Sequence, residues 1–352
     1  SLDPHAGRLG CLRTHMARVN PPVAGAGGRA PNGEGRTAAR HDGAMGSFTD
    51  LLAAGPVVLD GAMATELEAR SVPMHESLWS AAAIDSAPEA IGAVHAAYLD
   101  AGARVIETNT YQASVLGLTD AGARPAQARG LIRDAAELAR LAVEDRADRR
   151  PGRRALVAGS IGPFGAYLCD GSEYTGTYEL SPAEYRVFHV ERVRALAEAG
   201  VDVLAAETMP RLDEARALVG LIAAETDRPA WVCFQVRRDG GPVVLADGTP
   251  LVEATRWAQE EDTVAAVGVN CVAPALVAPA LETLASGTGK PLVCYPNSGE
   301  AWDARSRRWR PARTPVDWAR LVPGWLASGA RLIGGCCRTR PADIARIAAA
   351  LR

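Results

Sequence analysis

Arg331-Leu332-Ile333-Gly334-Gly335-Cys336-Cys337 is a short apolar run that breaks off into two glycines and two adjacent thiols. A run of this length ending in glycine reads as a buried strand. The pattern has seven precedents upstream: Val57 to Asp60, Arg104 to Asn109, Ala155 to Ser160, Val201 to Glu207, Trp231 to Gln235, Val264 to Cys271 and Pro291 to Tyr295. Helical patterns at 88–101, 127–147, 181–199, 211–226, 250–260, 274–286, 315–328 and 341–351 alternate with these runs. Ser181-Pro182 and Thr314-Pro315 supply start signals, a capping hydroxyl followed by proline in the first turn. Strands that are apolar on both faces and alternate with helices predict a parallel sheet. Eight such units predict an α/β fold, a single-domain (β/α)8 TIM barrel. An open doubly wound sheet would not bring the sixth, eighth and first strands together, whereas closure does.

Composition agrees with a globular enzyme-sized core. Of 352 residues, 48% are hydrophobic and 22% charged, and the net charge of -3 with no long basic block argues against a nucleic-acid or membrane-surface partner. No stretch of 18 uninterrupted apolar residues occurs. Seven cysteines, an odd number unevenly spread, do not resemble a disulfide framework and suit a reducing cytoplasm. Residues 1–46, rich in Gly, Ala, Arg and Pro without regular aliphatic spacing, read as a disordered N-terminal extension preceding a barrel domain at 47–352. Met45-Gly46-Ser47 offers a natural start, and Asp3, Glu34 and Asp42 weaken a transit-peptide reading of the head. A homo-oligomer stays open.

In a barrel of this kind, polar residues at the C-terminal ends of strands form the working face. Here these are Asp60, Asn109, Ser160, Glu207, Gln235, Cys271, Asn297 and Cys336. Two long connections, 161–180 and 296–314, carry aromatic residues and read as walls or lids. Cys233 and Cys294 lie within apolar runs and read as core; Cys169 lies in a polar loop and Cys11 in the head. His95 and His189, on helical patterns, read as packing or surface residues. The glycines at 159, 162 and 165 do not make a dinucleotide fingerprint, and the arginines of 305–310 read as a solvated run.

Cys336 and Cys337 at one strand end, with Cys271 at another, offer three thiols to one centre. Thiolates select zinc among common ions, and three protein ligands leave a fourth position for substrate. Such a centre carries a formal charge of about -1. It suits a further thiolate better than it suits the activation of water, so thiol alkylation is the expected chemistry.

The chain from about Pro56 to Leu351 resembles the homocysteine S-methyltransferases. The resemblance is carried by Leu59 to Glu68, Glu107 to Gln112, Gly159 to Tyr167, Asp170 to Tyr174, Glu207-Thr208, Gly268 to Cys271, Tyr295 to Glu300 and Gly334 to Pro341. It implies one zinc held by Cys271, Cys336 and Cys337, and methionine formation from L-homocysteine and a sulfonium donor, S-methylmethionine or S-adenosylmethionine. It further implies that Asp60 and Glu207 hold the amino-acid part of homocysteine. Gly61, with Ala62, would offer N–H groups to its carboxylate, and Asn270 would orient a ligand or substrate. Tyr111, Tyr174 and Trp302 would line the donor side. The alternatives are a selenocysteine methyltransferase and a non-catalytic zinc- or homocysteine-binding barrel. A zinc hydrolase would usually show histidine and aspartate at the strand ends, and these are missing.

Overall fold

A computed structural model describes Gly10 and residues 47–149, 155–303, 308–310 and 314–352, with the side chains of 301–303, 308 and 309 left out. The expectation for the head falls outside the described residues. The eight expected strands form one parallel sheet. In chain order they are β1 (Val57–Val58), β2 (Val105–Glu107), β3 (Leu156–Ile161), β4 (Val203–Met209), β5 (Ala230–Phe234), β6 (Val264–Asn270), β7 (Leu292–Tyr295) and β8 (Ala330–Ile333). Their order around the sheet is β1-β8-β7-β6-β5-β4-β3-β2. A parallel bridge between Leu59 and Val105 joins the first strand to the second and closes the barrel.

The period of two along each strand divides the apolar side chains between two layers. Val57, Leu59, Val105, Leu156, Ala158, Val203, Ala205, Trp231, Cys233, Val293 and Leu332 fill the interior. Their neighbours Val58, Ile106, Val157, Leu204, Val232, Val267, Cys294 and Ile333 face the helices. Cys233 and Cys294 are thus core residues of different layers, both fully buried. At Gly268 the neighbouring strand passes so near that an added Cβ would lie 1.9 Å from the Val293 carbonyl oxygen. Only glycine allows that strand spacing.

The helices following the eight strands are α1 (Pro88–Ala101), α2 (Pro125–Arg149), α3 (Pro182–Glu198), α4 (Leu212–Glu225), α5 (Leu251–Glu260), α6 (Pro274–Ala285), α7 (Trp318–Ala327) and α8 (Pro341–Ala350). α3 opens as the sequence predicts: the Ser181 hydroxyl accepts from the Glu184 N–H, and Glu184 answers by accepting from the Ser181 N–H. α7 differs. It starts at Trp318 and not at Pro315, because the Asp317 carboxylate caps it by accepting from the Arg320 N–H at 3.2 Å.

Three features were not foreseen. A helix at Phe48–Ala53 sends Phe48 and Leu52 into the interior cluster, with the Phe48 and Trp231 rings 5.8 Å apart. Two antiparallel ribbons, Val236–Arg237 with Val244–Leu245 and Ala301–Asp303 with Arg308–Arg310, rise from the loops after β5 and β7. Among the described residues no helix is long and apolar enough to cross a membrane.

Candidate metal and amino-acid site

The C-terminal mouth of the barrel brings three thiols together. Cys271 directly follows β6, and Cys336 and Cys337 lie just beyond β8; their sulfurs all lie within 4.8 Å of one another. Cys271 and Cys337 are 3.5 Å apart, and the Tyr174 hydroxyl lies 3.6 Å from the Cys271 sulfur. The backbone locks this arrangement. The Cys271 N–H donates to the Tyr295 carbonyl at 3.1 Å, the Cys336 N–H to Pro296 at 2.8 Å and the Ser298 N–H to Cys337 at 3.0 Å. Gly335 has to be glycine, since a Cβ there would sit 2.3 Å from the Thr339 hydroxyl oxygen. Cys271 turns with φ +53°, a left-handed conformation that ends the strand and aims its side chain at the other two thiols.

Such crowding has an electrostatic consequence. Hydrogen bonds from the Cys271 and Cys336 thiols pull Cys337 well below the ordinary thiol range, and the same contacts push Cys336 well above it. Cys271 is lowered by its bond to Cys336, but contact with Cys337 and burial outweigh this and raise it. Three sulfurs crowded this closely make a position that a soft divalent cation would satisfy. The donor set and its spacing therefore fit a metal ion.

Beside the thiols lies an acidic recess. Asp60 and Glu207 are each 5% exposed. The Asp60 carboxylate accepts from the Glu107 N–H at 3.0 Å, and Glu207 accepts from the Ser160 hydroxyl. Burial pushes the Glu207 carboxyl up to about 7, against the hydrogen bond from Ser160. Burial also raises Asp60 well above the usual carboxylate range, with Glu207 adding to it. Gly61 follows Asp60 and leads through Ala62 into a helix at Met63–Ala69; a Cβ on Gly61 would meet Thr339 at 2.8 Å and the Tyr98 ring at 2.9 Å.

The other residues singled out in the sequence divide. Asn270 is fully buried and braces the turn after Glu207: its Oδ1 accepts from the Thr208 N–H at 2.6 Å, and its amide donates to the Thr208 hydroxyl at 2.8 Å and to Glu207 at 3.4 Å. Tyr111 is held by burial well above its ordinary range, with Glu173 and Cys271 among the groups acting on it. Tyr174 stands over the thiols, the residue 37% exposed. Trp302 lies on the ribbon after β7, and its side chain is outside the described residues. Asn297 donates to the Cys271 carbonyl at 3.2 Å, and Gln235, with its amide turned to donate, reaches the carbonyls of Asn270 and Cys271 at 3.1 and 3.3 Å. Asn109 faces elsewhere, pairing with the hydroxyl and carbonyl of Ser80. β2 ends at Glu107, so Glu107 is the strand-end residue that faces the recess. Glu173, whose carboxyl burial raises to about 7, also lies near Cys271. The matching stretches contained both glutamates, but the apolar run gave no sign of where its strand stops. His95 and His189 are buried on α1 and α3.

The profile of the homocysteine S-methyltransferase family matches residues 57–351. The homocysteine S-methyltransferase of Escherichia coli is 46% identical over 295 residues, covering 83% of this chain and 94% of that protein. The homocysteine S-methyltransferase YbgG of Bacillus subtilis is 42% identical over 299 residues, covering 83% and 93%. The crystal structure of the metallated form of the Escherichia coli homocysteine methyltransferase MmuM superposes with a TM-score of 0.76 at 44% identity, covering 84% of this chain and 96% of that one.

Proposed function

Because this chain belongs to the homocysteine S-methyltransferase family, we propose that it transfers a methyl group from S-methylmethionine or S-adenosylmethionine to L-homocysteine, with one zinc held by Cys271, Cys336 and Cys337. Residues 47–352 would be the homocysteine-binding barrel. The observation that carries this reading is the convergence of three sulfurs within 4.8 Å of one another beside a buried pair of carboxyls. Bound zinc supplies a positive centre that favours the thiolate form of a substrate thiol, whose free pKa is about 8.5.

The chain's own residues do the rest. Asp60 and Glu207 receive the ammonium group, which is why two carboxyls are kept dry at the mouth at the cost of raised pKa values. The N–H groups of Gly61 and Ala62 meet the substrate carboxylate. Tyr111 and Tyr174 offer rings and phenol oxygens to a cationic donor, and the family resemblance assigns Trp302 to the same side. In the transfer, the homocysteine sulfur forms a bond to the methyl carbon as the bond to the donor sulfonium breaks. The donor leaves as a neutral thioether and needs no acid. Opposite charges cancel on the way to the transition state, so exclusion of water by the loops after β3 and β7 favours the reaction.

The test is methionine formation by zinc-loaded protein given homocysteine with S-methylmethionine, S-adenosylmethionine or betaine separately. Turnover with a sulfonium donor, abolished in Cys336→Ala together with zinc binding, is expected. Zinc binding without turnover from any donor would overturn the methyltransferase reading and leave a binding role.

A further inference from the structure

Three carboxyls, not two, meet at the mouth. Glu107 ends β2 between Asp60 of the first strand's turn and Glu207 on β4; its N–H is the donor to Asp60, and its carboxyl and that of Glu207 act on each other. Its Oε1 is shut away from solvent and has no hydrogen-bond partner. Cys233 on β5 and Tyr295 on β7 also face it, the former as a buried thiol, the latter as a phenol whose oxygen accepts from the Trp231 indole N–H at 3.1 Å. Arg192 acts on Glu207 through space, but its guanidinium already donates to the carbonyls of Tyr111 and Gly162 and to His189. Carboxyls this close and this dry cannot all ionise.

We propose that Glu107 is a third carboxyl of the amino-acid subsite, sharing a proton with Glu207 while the subsite is empty and losing it to solvent when an ammonium group enters. This rests on the reading that Asp60 and Glu207 take the substrate's amino group. The balance is simple: the Glu107 O–H bond breaks, its proton leaves to water, and the ammonium keeps its own three protons to bond the newly exposed oxygens. The orphaned Oε1 then gains a partner. Burial first, then Glu207 and Asp60, keep the Glu107 carboxyl well above the usual range, and Glu207 is held at about 7, so the pair retains a proton near neutrality. The sign follows: a site that releases a proton on binding binds more tightly as pH rises, by up to about tenfold per pH unit, until the empty pair is itself ionised.

The experiment uses L-methionine, which carries the amino-acid part without a thiol proton. It is titrated into the protein calorimetrically at pH about 6.5, in buffers of different ionisation heat. 4-(Methylthio)butanoic acid, lacking the amino group, is the comparison. We expect about one proton released per methionine bound by the wild type, none with the des-amino acid, and a clearly smaller release with methionine in Glu107→Gln. Methionine binding without proton release, or unchanged release in Glu107→Gln, overturns the inference while leaving the amino-acid subsite standing. Failure of methionine to bind sinks both. Should Glu107→Gln not fold, Glu107→Ala replaces it, with the same smaller release expected and unchanged release again overturning the inference.

Discussion

Asn270 shows how a single residue serves the site without being a ligand. Its buried amide satisfies the N–H and hydroxyl of Thr208, a residue held at φ +56° immediately after Glu207. Left-handed backbone at a non-glycine residue persists only where its surroundings enforce it. In Asn270→Ala the Thr208 N–H loses its acceptor in the interior, so a loss of about 1–3 kcal/mol is expected. The freed turn would let Glu207 drift, raising KM for homocysteine while zinc content is kept. Denaturant midpoints and KM measured together check this; a variant equal to wild type in both would contradict it. Sequence reading weighs Asn270 as orienting a ligand or substrate against a simple ladder role. Its true partner lies 62 residues away, a separation at which apolar period and strand-end position carry no information about pairing. The same blindness hid Glu107: Arg104 to Asn109 continues in β-compatible residues past the last paired one, so the strand end was placed two residues late, at Asn109.

At the scale of elements, the barrel's outer layer grips the loops that shape the site. Arg192 of α3, 1% exposed, donates to the carbonyls of Tyr111 and Gly162 at 2.9 and 2.7 Å and to Nδ1 of His189 at 2.9 Å. Burial lowers His189, so its ring is neutral; with Nδ1 accepting from Arg192, Nε2–H donates to Glu214 at 2.9 Å. Glu214 of α4 also accepts from the Phe164 N–H at 2.6 Å and from the Tyr178 hydroxyl. Burial lowers Arg192 to about 10, which leaves it charged at neutral pH. A cation and an anion are thus joined through a neutral imidazole, tying the loops after β2 and β3 to two helices. Removing one partner strands the other, so Arg192→Met is expected to cost about 3–5 kcal/mol in chemical denaturation, with Arg192→Lys losing less. A loss under about 1 kcal/mol would show that the network carries no weight. The helices themselves were legible because capping and apolar spacing are local: α1 spans 88–101 as expected. The two ribbons were not, since each pairs segments of two or three residues whose partner only the folded loop supplies.

For the whole molecule, the decisive sequence property was repetition. Eight apolar runs, each ending in a polar residue, force those residues onto one rim once the sheet closes through Leu59 and Val105. Cys271 precedes Cys337 by 66 residues, yet closure and neighbouring strands place their sulfurs 3.5 Å apart. What repetition did not disclose is how the other end is sealed, since the helix at Phe48–Ala53 stands before the first unit and packs against Trp231. The central claim is that the three thiols act as one metal centre, and elemental analysis of zinc per chain tests it most directly. In the wild type and in Cys294→Ala, whose thiol packs in the outer layer, about one zinc per chain is predicted. In Cys271→Ser, Cys336→Ser and Cys337→Ser it should fall to near zero after mild chelation. Retention of full zinc by any of these three variants would contradict the account.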